Sequence, residues 1–150
     1  VFAGRDADLI DLAGFSGLID EKLVWQAIVN AQIPHVDWAI RKELLGLHAG
    51  LHLYIEVTNG ASPSQVAQSV HQELQALNPF YGDLVKFLGV RPLQVTLLRP
   101  GTFTHYMSER QAAGADLAHL KPPHMNAPEA VIANLLRSSE AMVHQDNGRG

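Results

Sequence analysis

The chain has 150 residues, no cysteine, and 15 acidic against 11 basic side chains, a formal net charge of -4. That length makes one domain, which buries about two-thirds of its unfolded surface without a disulfide or metal staple. The acidic balance argues against a general nucleic-acid role, because phosphate-backbone binding draws on Lys and Arg, and no apolar run reaches the length that spans a bilayer.

The chain opens at Val1 with neither the basic start nor the apolar core of a signal peptide. The expectation is a piece cut from a longer, cytoplasmic protein, ending in a frayed tail over 145–150. A short strand pair is expected within residues 2–13. Asp20 then precedes a helix whose Leu23, Val24, Ala27, Ile28 and Ala31 share one face, ending near Pro34. Trp25 and Trp38 read as core residues. Val36, Trp38 and Ile40 alternate with polar or small neighbours, as do Leu51, Leu53, Ile55 and Val57, so two half-buried strands are predicted. They flank ELLGLHAG, read as a generous hairpin loop.

Ser62 and Pro63 announce a second helix, with Val66, Val70, Leu74 and Leu77 as its stripe and Asn78-Pro79 as its stop. A short LVKFL segment and a strand through Leu93, Val95 and Leu97 follow. Thr102 is placed as the cap of a third helix that ends at Gly114, and Asn126 with Glu129 as the capping box of a fourth. The order implies a small α+β fold, an antiparallel or mixed sheet with helices packed on one side, loosely ferredoxin-like. Residues 1–18 form the strand pair and a hinge, and residues 19–144 the main domain.

Eight histidines raise a metal question. His48 and His52 have an i,i+4 spacing, but the segment alternates as a strand and offers no third ligand, so no metal site is assigned. His105, His119 and His124 gather around Lys121. Leu120-Lys121-Pro122-Pro123 stiffens the backbone on the lysine's C-terminal side, since each proline locks its own φ and biases the residue before it. An ammonium on such a support is a point charge aimed at one place, suited to oxygens that gain charge in a transition state. A lysine in a polyproline-type linker is the plainer reading of the residues alone.

Several landmarks occur in order: Leu77-Asn78-Pro79-Phe80-Tyr81, Arg91-Pro92-Leu93-Gln94-Val95-Thr96-Leu97-Leu98, Pro100-Gly101-Thr102-Phe103, Gly114, and Lys121-Pro122-Pro123. Together they resemble the C-terminal portion of the auxin-responsive acyl-acid amido synthetases, the Gretchen Hagen family. His124 stands where the family's wording has arginine. Phe2-Ala3-Gly4-Arg5-Asp6 and Glu21-Lys22-Leu23 look like the hinge elements of the wider adenylate-forming superfamily.

The resemblance implies an enzyme that uses ATP to adenylate a carboxylic acid and then joins the acyl group to an amino acid. ATP, with Mg2+, would be held by an N-terminal adenylation domain of the same chain, against which this smaller domain rotates. Lys121 would be the catalytic residue, His124 a supporting group, Arg5 a contact to the ribose hydroxyls and Asp6 the hinge. Two other readings stay open: a stand-alone α+β module binding a ligand or protein, and a structural homodimer.

Overall fold

The computed structural model describes residues 9–12 and 19–147. Strands β1 (Leu9–Ile10) and β2 (Ile19–Asp20) pair antiparallel, with Leu9 opposite Asp20. The N-terminal pair therefore takes its second strand from beyond residue 13. Asp20 also caps helix α1 (Glu21–Asn30), its carboxylate accepting from the Leu23 amide at 2.8 Å.

Strands β3 (His35–Leu45) and β4 (His48–Val57) form a long antiparallel hairpin in which Leu45 faces His48. The generous loop is corrected to a two-residue turn, Gly46-Leu47, because most of ELLGLHAG continues the two strands. The two glycines do different work. Gly46 takes a φ of 69°, open to glycine at little cost, whereas a Cβ on Gly50 would sit 2.5 Å from Leu45 Cδ1.

Helix α2 (Pro63–Leu77) opens with a full capping box: the Ser62 hydroxyl accepts from the Gln65 amide and the Gln65 side chain accepts from the Ser62 amide. Asn78 stops α2, but it also starts α3 (Pro79–Leu88), its side chain accepting from the Phe80 and Tyr81 amides. The sequence reading took only the stop. Strand β5 (Leu93–Leu98) lies parallel to β4, which gives a mixed sheet of order β3-β4-β5.

Helices α4 (Thr102–Ala112) and α5 (Glu129–Asn147) complete the α+β fold. One core layer seats Val24 and Ile28 of α1, Val70 and Leu74 of α2, and Tyr81 of α3 against Trp38, Ile40, Leu53 and Ile55. Each such buried aliphatic side chain stabilises the fold by about 1.5–3 kcal/mol relative to exposure. A second layer packs Phe103, Tyr106, Ile132 and Leu135 against Ala39, Tyr54 and Leu98. Trp38 and Ala39 are strand neighbours and point to opposite faces, so the helices cover both faces of the sheet rather than one. Trp25, expected in the core, is 47% exposed.

Candidate active site

The Lys121 segment is held between the second helical layer and the free edge of the sheet. At its upstream end α4 starts on a carboxylate from another strand: buried Glu56 accepts from the Gly101 and Phe103 amides, both at 2.8 Å. Thr102 was expected to cap this helix; its hydroxyl instead donates to the Arg99 carbonyl at 2.6 Å. Glu56 lies 45 positions from Gly101, too far for a local capping pattern to reveal.

After α4 a short 3-10 turn, Leu117–His119, leads to Lys121. Pro122 is buried while Lys121 and Pro123 are exposed, so the proline anchors and the lysine projects. The next residues are stitched to β3. The Ile40 amide donates to the His124 carbonyl at 2.7 Å, and the Asn126 amide donates to the Ile40 carbonyl at 2.8 Å. Asn126 does not cap α5: it adopts a φ of 53° and its side chain donates to the Leu9 carbonyl.

His124 lies flat on Trp38, ring centroids 4.2 Å apart and planes 9° from parallel. Its Nε2 donates to Asp37 Oδ1 at 2.7 Å, and its Nδ1 is 3.4 Å from Glu21 Oε1. Asp37 also accepts from the Trp38 amide at 2.9 Å. Its other oxygen is 3.9 Å from the Lys121 ammonium, a loose contact that leaves the lysine side chain 71% exposed.

The hydrogen bond to Asp37 raises the His124 pKa against the opposing effect of burial, helped by the charges of Asp37 and Glu21. Burial alone would raise the Asp37 carboxyl; the His124 bond, the Trp38 amide and the charges of His124 and Lys121 together outweigh it and lower its pKa. The pair therefore favours imidazolium beside carboxylate. Lys121 keeps its charge directed outward, where it can meet an anionic group.

Lys121 and His124 both contact Asp37, a carboxylate the sequence reading missed. Asp37 is 87 positions from His124 and reads in sequence as an ordinary outward residue of an alternating strand. Arg5 and Asp6 lie outside the described residues. Among the described residues no cluster of three or more His, Cys, Asp or Glu could hold a metal ion, and His52 is bound to Glu43 and Thr96 instead. Nor is any helix there long and apolar enough to cross a membrane.

Fold and site together define a small α+β domain that presents one braced, exposed lysine beside a carboxylate–imidazole pair. Residues 24–129 match the GH3 family C-terminal domain, and the chain belongs to that family. Two solved structures share its fold. A GH3.15 acyl acid amido synthetase superposes with a TM-score of 0.65 at 18% identity, over 91% of this chain and 25% of that one. An AtGH3.15 acyl acid amido synthetase in complex with 2,4-DB gives 0.64 at 16% identity, over 90% and 26%. The chain thus spans about a quarter of the length of these synthetases. No curated protein matches it.

Proposed function

We propose that this chain works as the mobile C-terminal domain of an ATP-dependent acyl-acid amido synthetase in the cytoplasm, and that Lys121 is its catalytic residue. The supporting observation is the exposed Lys121 ammonium at the head of a loop braced by buried Pro122 and by hydrogen bonds to β3, in a GH3 C-terminal domain. ATP is consumed as a substrate and supplies the activated phosphate. Mg2+ and most of the nucleotide contacts belong to an N-terminal adenylation domain of the same chain.

The residues fit one part of that task. Among the described residues Lys121 has a single loose carboxylate contact to give up, so it can turn to oxygens shared between the substrate carboxylate and the α-phosphate. Asp37 and His124 hold the loop that carries it, and the Trp38 stack fixes the imidazole plane. Arg5 is assigned to the ribose hydroxyls and Asp6 to the hinge. The amino acid's amine then takes the acyl group as AMP leaves. The acid's binding loops are assigned to that N-terminal domain, so this domain alone should be inactive.

In the full-length protein, Lys121→Ala should slow acid-dependent pyrophosphate exchange by about 100-fold or more. Amide formation from a pre-made acyl-adenylate should continue near the wild-type rate. Exchange at the wild-type rate would remove Lys121 from the chemistry.

A further inference from the structure

An open groove of about 720 Å³ runs beside Lys121, between α4, the segment 118–123 and the start of α5. Its charge runs opposite to that of the chain. Arg110, His119 and Lys121 line it, with no Asp or Glu, although the formal net charge of the whole chain is -4.

Of these three basic groups His119 is held closely by its own carboxylate, Asp116, so the groove's available positive charge rests on Arg110 and Lys121, whose neighbouring carboxylates are engaged elsewhere or only loosely paired. Asp116 accepts from His119 Nδ1 at 2.6 Å, Glu109 is 3.1 Å from His105 Nδ1, and Asp37 is 3.9 Å from Lys121 while bound to His124. Among the described residues no carboxylate pairs with Arg110. The groove's floor is Val131 and buried Pro122, with the Asn134 amide and Tyr106 as neutral polar neighbours. The volume falls in the range of small-molecule sites, and a guanidinium fork and an ammonium lining the same groove suit several phosphate oxygens at once.

We propose that this groove binds an oligophosphate, with its oxygens on Arg110 and Lys121. The oligophosphate is either free pyrophosphate or the tail of a nucleotide whose organic part rests on Val131 and Pro122. The site lies wholly on this chain and does not depend on the catalytic reading of Lys121, which concerns a substrate held by another domain.

The test is an amide-resolved NMR titration of the 150-residue chain with pyrophosphate and, separately, with ATP, at fixed ionic strength and without Mg2+. Saturable shifts at Arg110, Lys121, Val131 and Asn134 are expected with at least one of them. Arg110→Gln should weaken binding at least about tenfold, with Lys121→Gln as a second variant, since loss of a charge-assisted bond is worth about that factor. Tighter binding of ATP than of pyrophosphate assigns the apolar floor to a nucleotide; equal binding assigns the site to the free anion. No saturation with either, or the same shifts in Arg110→Gln or with sulfate at matched ionic strength, would overturn the proposal. That outcome leaves pyrophosphate exchange by the full-length protein untouched, so the two readings fail separately.

Discussion

Two polar clusters hang on strand β3, and they treat their cations in opposite ways. In one, Glu43 accepts from Arg41 Nε at 2.6 Å, from the Tyr54 hydroxyl at 2.5 Å and from His52 Nδ1 at 2.8 Å, while His52 Nε2 sits 2.7 Å from Thr96 Oγ1. In the other, Asp37 binds His124 and the Trp38 amide closely and Lys121 only at 3.9 Å. Both stack an imidazole on an aromatic ring, His52 on Tyr54 at 4.0 Å and His124 on Trp38. The Glu43 cluster uses its cation to complete a closed network; the Asp37 cluster leaves its cation outside. Glu43 and His52 have both their polar side-chain atoms bound within the protein and have little to offer a substrate, so the first cluster reads as structural and the second is the candidate site.

The most severe way to break this contrast is to open the closed network. Glu43→Ala strips the acceptor from three donors, of which His52 and Tyr54 are buried, and should cost about 2–3 kcal/mol of stability in urea unfolding. A loss under about 0.5 kcal/mol would put that cluster on the same footing as an exposed ion pair.

Titration sharpens the comparison with a smaller effect. Burial alone would raise the Glu43 carboxyl; the bonds from Tyr54, His52 and Arg41 instead lower it to about 2, so its contribution is present above the ordinary value of 4.5 and is lost as pH falls toward 2. His124 runs the other way. Its folded-state pKa is raised above the ordinary 6.5, so its contribution is full below that value and fades as pH rises through the folded value. Asp37, lowered from 3.8, loses its share only in acid. Unfolding of His124→Gln should therefore show a deficit of about 1 kcal/mol near pH 5.5 that shrinks by about pH 8.5, while the Glu43→Ala deficit holds at both. A His124→Gln deficit independent of pH would show that stacking on Trp38, and not the ion pair, holds the loop.

The sequence made the scaffold of this contrast legible and hid the connections. Asp20, Ser62 with Pro63, and the alternation through Trp38 and Ile55 are local signals, and each element they announced is present. Asn78 misled because one asparagine can end a helix and start the next, and a proline after it looks the same in both roles. The hairpin loop was read too long because Gly46 and Gly50 look alike in sequence, one serving a turn and the other a close approach. Glu56, Glu43 and Asp37 act across the sheet, on partners that only the folded chain brings near. Pro122-Pro123 did mark Lys121 as stiffly carried; the carboxylate beneath it left no mark in the sequence.

The smallest expected effect bears most directly on function. Lys121 is largely exposed and its ion-pair contact with Asp37 is 3.9 Å long, so Lys121→Ala should change stability by no more than about 0.5 kcal/mol. Asp37 keeps His124 and the Trp38 amide in the variant and is not left as an unpaired charge. A side chain that contributes almost nothing to folding, just before a buried proline and a segment bound to β3 through the His124 carbonyl and the Asn126 amide, fits the proposed role at a partner domain. A destabilisation above about 1 kcal/mol in urea unfolding would place the ammonium among the fold's own supports, next to Arg41, and the contrast between the two clusters would disappear.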